Sequence, residues 1–351
     1  MFLTEANVLH YLLEKQFGEI EAVVAGRFTV RSLTRRNVNL HVTWGALEYL
    51  VKQTKERDTS SRASIEREAS FYRQRQTGKL RTPLLPQCYA YDPPNSLLIL
   101  EFLSGHKDLR EVPDRFAPEL GRLCGETLGT FHREMESGSL ASAFPGFMPS
   151  CLSSFEREQD PASLSNNGRR EPDGLSKARQ ELLRVVKRHP EFDHELSRLR
   201  AEWYNDTLTH GDCKLENFLI SPDRTRLRII DWEYASWSDS IWDVGGMLQS
   251  WWNFWIRRPS AVSLATVQPA LRAFLAAYAS SRGIDPADLA ARAVRFAGAR
   301  MLQTAFETLR DADAMTGEAV RLLQGSFNIL TRPDWALGQL IGPLRNLSAH
   351  A

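Results

Sequence analysis

The sequence predicts an α+β protein of two lobes, a small N-terminal lobe built on an antiparallel sheet and a larger, mainly helical C-terminal lobe. Three observations support this class. The chain has 351 residues, which is enough for two domains. Segments rich in β-forming residues occupy most of residues 21–53 and 88–100. Beyond Gly105, apolar residues recur mainly at the spacing of three and four residues that is typical of helices.

The N-terminal lobe begins with an amphipathic segment, residues 4–16, which predicts a helix whose first residue is the N-cap. Residues 21–53 alternate between apolar and polar and are interrupted by turn residues, so they predict three antiparallel strands. Residues 64–76 predict a helix with Ser64 as its N-cap. Residues 88–100 then predict two strands joined by a Pro-rich turn.

The C-terminal lobe is predicted to contain a long amphipathic helix around residues 120–132 and a charged helix over 177–200. Between them, residues 137–176 are rich in Ser, Pro, Gly and Asn, which predicts a mobile insertion. Short strands are expected over 204–233. The remaining chain is helical from Ile241, with breaks at Pro259, at Gly283–Pro286, where Asp285 is the expected N-cap, and at Pro333.

These patterns divide the chain into an N-terminal lobe over residues 1–100, a connector over 101–105 and a C-terminal lobe over 106–351. A protein of two lobes is expected to bind its ligand in the cleft between them.

Composition excludes several classes of protein. The 44 Lys and Arg residues balance 43 Asp and Glu residues, and a net charge of +1 argues against a nucleic-acid-binding protein. The four cysteines are scattered, so neither a zinc site nor a disulfide framework is expected. Charged residues interrupt the first twenty positions, and no apolar run is long enough to span a bilayer. We therefore expect a cytoplasmic protein without a membrane partner; the pattern does not determine the oligomeric state.

The residues that indicate chemistry lie in one segment. His210, Asp212 and Asn217 form a His-x-Asp-x-x-x-x-Asn pattern, and Asp231 follows after an apolar hairpin. Transfer of a phosphoryl group from a magnesium nucleotide needs a carboxylate beside the attacking hydroxyl. It also needs oxygen ligands for a hard cation, which an Asn amide and an Asp carboxylate supply. The combination therefore predicts a phosphoryl-transfer site.

This segment resembles the catalytic loop and metal-binding strand of the aminoglycoside phosphotransferase and choline kinase group, which has the protein-kinase-like fold. His-Gly-Asp replaces the His-Arg-Asp of protein kinases, and Ile-Asp-Trp-Glu replaces their Asp-Phe-Gly. The later Asp239–Gly245 segment resembles the part of that group in which an Asp, here Asp243, braces the catalytic loop. The resemblance is sharp over residues 208–247 and looser over 20–135.

The resemblance implies that Asp212 is the catalytic base and that Asn217 and Asp231 bind Mg²⁺. It also implies that His210 braces the loop through hydrogen bonds rather than transferring a proton. Lys214 has the spacing at which protein kinases place a lysine on the γ-phosphate, with a solvated loop lysine as the alternative.

In the N-terminal lobe, Lys52 resembles the strand lysine that binds the α- and β-phosphates of ATP or GTP. Glu68 resembles its helix partner and is favoured over the competing Glu66. A Gly-rich phosphate loop is missing, and a polar turn with Arg35 and Arg36 takes its place. These arginines either contact phosphate or form an exposed hairpin tip.

The connector and the acceptor site complete the predicted set. The backbone of Glu101, Phe102 and Leu103 is expected to bind the adenine edge. Acceptor candidates are Glu233, which follows the metal-binding aspartate, and three tryptophans, which form either a cage for a quaternary ammonium or part of the core: Trp251, Trp252 and Trp255.

The leading hypothesis is a kinase that phosphorylates a hydroxyl of a small molecule, either aminoglycoside-like, an amino alcohol or a natural product. One alternative is a nucleotide-binding pseudokinase, which the complete set of Lys52, Glu68, Asp212, Asn217 and Asp231 argues against. The other is a protein kinase, which the short segment between Asp231 and Asp243 argues against.

Overall fold

A computed structural model describes residues 2–33, 37–55, 59–76, 84–153, 155, 175–258 and 260–342. The chain forms two compact units. The described part of the first unit contains the residues up to His106 together with Arg228–Tyr234. The second contains the described residues between Lys107 and Leu227 and those after Tyr234. The pattern-based boundaries had assigned Arg228–Tyr234 to the C-terminal lobe.

The first unit is built on a five-stranded sheet with the strand order β1-β2-β3-β5-β4, in which every neighbouring pair is antiparallel. This confirms the α+β prediction for the N-terminal part, because the alternating segments form the strands. The strands are β1 (Phe28–Ser32), β2 (Val38–Trp44), β3 (Leu47–Gln53), β4 (Cys88–Asp92) and β5 (Leu97–Glu101).

One face of this sheet packs against the N-terminal helix α1 (Val8–Glu14) and forms a core. Leu40, Val42 and Trp44 contribute alternate positions of β2, as expected for a strand with one buried face. The helix was predicted to begin at Thr4, but it begins at Val8. Asn7 precedes the helix, and its side-chain oxygen accepts a hydrogen bond from the Thr4 N–H at 2.7 Å.

Two further elements of this unit differ from the prediction. The segment Ile20–Val24 is a short helix, α2, rather than a strand, because packing against the core overrides the weak β preference of two adjacent valines. Helix α3 (Thr59–Gln76) begins five residues before the predicted cap. Ser64 therefore lies inside α3, and its hydroxyl donates to Glu233 instead of capping the helix.

The second unit is mainly helical. Its helices are α4 (Pro118–Met135), α5 (Lys177–Lys187), α6 (Pro190–Ala201), α7 (Ser240–Arg257), α8 (Leu264–Arg282), α9 (Pro286–Thr308), α10 (Gly317–Thr331) and α11 (Pro333–Ala336). The predicted charged helix is divided into α5 and α6, because Pro190 has no N–H to continue the helical ladder and instead occupies a first helical turn. Asp285 caps α9 as predicted, accepting from the N–H groups of Ala287 and Asp288.

The described part of the chain after Glu101 also contains five short strands. They are β6 (Lys107–Asp108), β7 (Thr207–Thr209), β8 (Phe218–Ile220), β9 (Leu227–Ile229) and β10 (Ser236–Ser238). Strand β9 includes the first residues of the Arg228–Tyr234 segment. Strand β7 pairs antiparallel with β10, and β6 pairs antiparallel with β8. Half of the predicted insertion over 137–176, residues 154 and 156–174, lies outside the described residues, as does Pro259.

Helices α4 and α8 approach each other closely because three glycines at four-residue spacing share one face of α4. A Cβ atom at Gly121 would lie 2.1 Å from the carbonyl oxygen of Ala270, and one at Gly125 would lie 2.3 Å from that of Phe274. A Cβ atom at Gly129 would lie 2.7 Å from the Ser281 side chain. The backbone itself therefore forms this contact, and any side chain on this face would separate the helices.

We expect Gly125→Leu to destabilise the protein, because a side chain there would force α4 away from α8. Overpacking of this kind costs about 1–3 kcal/mol or more. The measurement is the free energy of unfolding by denaturant titration. Gly338→Ala is the control, because in the part of the chain that the structure describes no atom beyond its chain neighbours and its own helix backbone lies within 4 Å of the Cβ position at Gly338. Equal stability of the two variants would contradict the close packing of α4 on α8.

Among the described residues, no helix combines the length and the apolar character needed to cross a membrane.

Candidate functional site

The loop that carries His210 and Asp212 follows β7 in the second unit, and its backbone is held by Asp243 of α7. The Asp243 carboxylate accepts hydrogen bonds from the N–H of His210 at 2.6 Å and from the N–H of Gly211 at 2.8 Å. Gly211 has φ +80°, a conformation that residues with a Cβ adopt only with strain. The ring nitrogen Nδ1 of His210 accepts from the N–H of Asp212 at 3.2 Å. His210 and Asp243 therefore fix the loop, while Asp212 projects from it.

A buried hydrogen-bonded chain lies behind Asp243. The Nε2 atom of His132, from α4, lies 3.1 Å from the Asp243 carboxylate, and its Nδ1 atom lies 2.8 Å from the hydroxyl of Tyr278 on α8. Burial opposes ionisation of Asp243, but the hydrogen bond and charge of His132 outweigh it and hold the pKa of this carboxyl below its usual range. The sequence identified His132 only as part of a helical face, because nothing local indicates these partners.

We expect Asp243→Asn to destabilise the protein at neutral pH, because hydrogen bonds to a charged group contribute about 1.5–3 kcal/mol each. The depressed pKa means that the ionised form stabilises the native state above the unfolded-state pKa of about 4. That contribution is lost as the pH falls through the native pKa. The difference in unfolding free energy between wild type and variant should therefore narrow in acid; a pH-independent difference would contradict this role.

Asp212 is held by two cations within the second unit. The Nζ atom of Lys214 lies 2.5 Å from one carboxylate oxygen, and a guanidinium nitrogen of Arg300 lies 2.6 Å from the other. The low exposure of Asp212 opposes ionisation, but Lys214 and Arg300 outweigh it and hold the pKa of this carboxyl below its usual range. Lys214 thus contacts the proposed base itself. An ionised Asp212 can accept a hydrogen bond, and then a proton, from a hydroxyl group.

Sequence reasoning missed Arg300, which lies far along the chain on α9. One signal was present: Arg300 is a charged residue within a run of apolar helix positions, between Ala299 and Met301. Only 8% of its surface is exposed. A buried arginine needs an acidic partner, and here the partner is Asp212.

Asn217 ends the short 3-10 turn Leu215–Asn217 that follows the loop. Its side-chain Nδ2 donates to the backbone oxygen of Asp212 at 3.0 Å, and the residue is buried. This bond uses the nitrogen end of the amide and turns the amide oxygen away from Asp212. An amide oxygen fixed in this way has the chemistry of a ligand for a hard cation.

In the first unit, Lys52 at the end of β3 is paired with two carboxylates. Its Nζ atom lies 2.6 Å from Glu68 of α3 and 2.5 Å from Asp231. Glu66, the competing residue, is exposed on α3. Burial favours the neutral amine, but Asp231 and Glu68 outweigh it and hold the pKa of Lys52 above its usual range. Burial raises the pKa of Glu68, and Lys52 opposes that rise.

The backbone of Asp231 has a left-handed conformation, which sets the direction in which its side chain points. Its φ is +68°, in the left-handed region that non-glycine residues occupy at a cost. Strain of this kind persists only where the surroundings hold it, and here the carboxylate is bonded to Lys52 while the next residue, Trp232, stacks on Phe71 with ring centroids 3.9 Å apart. The strained turn thus aims the carboxylate at the lysine.

Glu233 belongs to the same cluster in the first unit. Its carboxylate accepts from the Ser64 hydroxyl at 2.5 Å, and its backbone oxygen accepts from Arg67 at 3.1 Å. Its charge also contributes to the raised pKa of Lys52. Glu233 therefore lies near Lys52 and is bonded to Ser64 and Arg67. An acceptor that contacts the Glu233 carboxylate would share it with Ser64.

The connector residues are anchored within the first unit. The N–H of Glu101 donates to Gln87 O at 2.7 Å, and the N–H of Phe102 donates to Glu48 O at 3.2 Å. Leu103 is buried, and within the described residues its N–H donates to no backbone oxygen. Of the three predicted adenine contacts, Leu103 is thus the one whose N–H forms no backbone hydrogen bond within the described residues. Arg35 and Arg36 lie outside the described residues.

Of the three tryptophans, Trp251 and Trp252 are fully buried, and Trp255 is half-buried. The indole N–H of Trp251 donates to the backbone oxygen of Arg115 at 2.9 Å. For Trp251 and Trp252 the structure therefore matches the core alternative rather than an open cage.

The oxygen donors present fit magnesium. Among the described residues, no group of three or more His, Cys, Asp or Glu side chains is arranged to hold a metal ion. Magnesium does not require such a group, because it retains waters and binds substrate phosphates in addition to one or two protein oxygens. The carboxylate of Asp231 and the amide oxygen of Asn217 are of the type it prefers.

The sequence matches the model of one protein family. The family model described as the phosphotransferase enzyme family matches residues 29–293. No curated protein sequence matches the chain.

Three solved structures of similar fold are described as an ethanolamine kinase, a choline kinase and an aminoglycoside phosphotransferase. An ethanolamine kinase from Plasmodium vivax is 14% identical, with a TM-score of 0.61 over 95% of this chain and 90% of that one. The choline kinase LicA from Streptococcus pneumoniae is 16% identical, with a TM-score of 0.51 over 91% and 98%. The GDP complex of aminoglycoside 2'-phosphotransferase-IIIa is 15% identical, with a TM-score of 0.51 over 90% and 98%. At these identities the likeness shows the fold.

Proposed function

Because the chain belongs to the phosphotransferase enzyme family, we propose that it transfers the γ-phosphate of ATP or GTP to a hydroxyl group of a small molecule. The observation that carries the proposal is the pairing of Lys52 with both Glu68 and Asp231. A buried lysine with two carboxylate partners is poised to exchange one of them for the phosphates of a nucleotide.

The residues of the first unit are proposed to bind the donor. Lys52, held by Glu68, contacts the α- and β-phosphates, and Arg35 and Arg36 add positive charge. The connector, Glu101–Leu103, binds the adenine edge through the Leu103 N–H, while Glu101 and Phe102 fix its backbone.

Asp231 and Asn217 are proposed to hold Mg²⁺. Held by these two oxygen donors, Mg²⁺ would supply positive charge that offsets the negative charge of the phosphates. Asp231 changes partner in this scheme, since its carboxylate is bonded to Lys52 in the structure.

Asp212 is proposed to act on the acceptor. Its carboxylate orients the acceptor hydroxyl and takes its proton as the hydroxyl oxygen bonds to the γ-phosphorus and the bond to the departing nucleoside diphosphate breaks. Lys214 is proposed to neutralise the transferred phosphoryl group, and His210 keeps the loop in place. Ionisation of Asp212 in the resting state leaves it ready to accept the proton.

The first candidates for the acceptor come from the solved structures of similar fold, whose names refer to ethanolamine, choline and aminoglycosides. Amino alcohols, aminoglycosides and hydroxylated natural products are therefore the starting panel. Of the acceptor candidates that the sequence nominates, Glu233 and the half-buried Trp255 are retained, because Trp251 and Trp252 are buried in the core.

The test is a nucleotide-consumption screen of the purified protein against that panel, with ATP or GTP and Mg²⁺, followed by mass spectrometry of the acceptor. We expect at least one hydroxyl compound to raise diphosphate release above the acceptor-free rate and to gain one phosphoryl group. Nucleotide binding without transfer to any member would favour a pseudokinase instead.

A further inference from the structure

We propose that Arg300 occupies the position at which an ammonium group would otherwise bind beside Asp212, so that the acceptor of this chain is a hydroxyl compound without a positive charge near the reacting hydroxyl. This inference rests on the proposed function, because it concerns the acceptor of the same reaction. It makes Arg300 a residue that determines specificity.

The surroundings of the Arg300 guanidinium are those of a bound organic cation. One nitrogen lies 2.6 Å from the Asp212 carboxylate, and another lies 3.4 Å from that of Glu307. The guanidinium carbon lies 5.4 Å from the centroid of the Trp242 ring. An aromatic face with carboxylates beside it is the chemistry that recognises ammonium ligands. Here a side chain of the protein itself fills that role.

The position of Arg300 is fixed by its neighbours. The indole N–H of Trp242 donates to the Gly211 backbone oxygen at 3.2 Å, which ties the ring to the catalytic loop. One turn beyond Arg300 on α9, Gln303 is bonded to Ser150 and to Glu307 at 3.0 Å each. Arg300 is itself buried. The guanidinium is thus part of the packed second unit rather than a mobile surface group.

Two positively charged side chains lie beside the proposed base, Asp212. An arginine remains protonated in proteins, so Arg300 is a permanent cation beside Asp212. Lys214 supplies a second cation at 2.5 Å from the same carboxylate. Because these two cations already neutralise Asp212, and Arg300 also faces Glu307, an ammonium group beside the reacting hydroxyl would find that carboxylate paired and would meet both cations at short range. A neutral or anionic substituent faces no such repulsion.

A second arginine of this unit, Arg115, also lies against aromatic rings. The guanidinium carbon of Arg115 lies 5.4 Å from the Phe116 ring centroid and 5.1 Å from that of Phe254 on α7. Trp251 and Trp252 are buried. The aromatic faces of Trp242, Phe116 and Phe254 are therefore each next to an arginine of the chain.

The first test measures binding of choline and of dimethylbutanol, its uncharged analogue in which carbon replaces nitrogen, by calorimetry on the full-length protein. Wild type should bind dimethylbutanol more tightly than choline. Arg300→Gln removes the cation but leaves Trp242, Asp212 and Glu307, so it should bind choline about tenfold or more tighter than wild type does. Arg300→Lys is the matched control, which retains the charge and should still exclude choline.

The possible results of this test distinguish failure of the inference from failure of the proposed function. Choline binding by wild type as tight as that of dimethylbutanol would overturn the inference, as would an Arg300→Gln variant that is folded by circular dichroism yet gains no choline affinity. If Arg300→Gln fails to fold, the wild-type comparison decides alone. The proposed function is tested separately, by measuring the release of nucleoside diphosphate in the presence of each compound. Preferred phosphorylation of choline would overturn the inference and leave the proposed function intact.

Discussion

Asp212→Asn is expected to lower kcat by about 10²–10⁴-fold, the contribution typical of a general base, while nucleotide affinity is retained. The amide keeps the shape of the side chain but cannot take the proton of the acceptor hydroxyl. Nucleotide affinity should survive because Lys52 and Asp231 lie in the first unit and do not depend on the Asp212 carboxylate. The measurement is steady-state kinetics with the best acceptor from the screen, together with nucleotide titration by calorimetry.

The matched control is Asp313→Asn, which makes the same chemical change at a position whose side chain is 94% exposed and lies 3.8 Å from Lys177. We expect this variant to keep wild-type kcat. A kcat of Asp212→Asn within a few fold of wild type would show that Asp212 is not the base. Loss of nucleotide affinity in the same variant would instead indicate that the substitution disturbs the fold around Lys214 and Arg300.

Asp231→Ala is expected to weaken magnesium-dependent nucleotide binding by about tenfold or more, the equivalent of about 1.4 kcal/mol. The substitution removes a carboxylate of the type that Mg²⁺ prefers. Lys52 would keep Glu68 as its partner at 2.6 Å, so the lysine remains in place and the phosphates can still bind it. The variant should therefore lose the effect of magnesium more than it loses basal affinity.

Calorimetric titration of nucleotide with Mg²⁺ and with a chelator measures that difference. Glu66→Ala serves as the control, since it removes an exposed carboxylate from α3, the helix that also carries Glu68. An Asp231→Ala variant whose affinity responds to magnesium as strongly as wild type would remove Asp231 from the set of metal ligands.

Much of the first unit could be predicted because its signals are local. Alternation of apolar residues along β2 and β3 and the Pro-rich turn before β5 each depend on a few adjacent residues. Helix starts were less predictable. Ser64 has the chemistry of an N-cap, but its hydroxyl is bonded to Glu233, a partner 169 positions along the chain that local sequence does not indicate.

The residues of the site also differ in how far the local sequence predicts them. His210, Asp212 and Asn217 lie within eight positions of each other, so their pattern is visible in the sequence. Arg300, by contrast, reaches Asp212 from α9, and His132 reaches Asp243, the residue that holds the loop, from α4. Their roles depend on helix packing, which residue types alone do not specify. The resemblance over residues 208–247 supplied the family, and the family match over 29–293 confirms it.

The most direct test of the account is transfer of labelled phosphate. The protein is incubated with ATP or GTP carrying heavy oxygen on the γ-phosphate, with Mg²⁺ and the acceptor that consumes most nucleotide, and the products are analysed by mass spectrometry. The account predicts the label in a phosphate ester of the acceptor, abolished in Asp212→Asn and unchanged in Asp313→Asn. Label found only in inorganic phosphate, in wild type and variant alike, would contradict it.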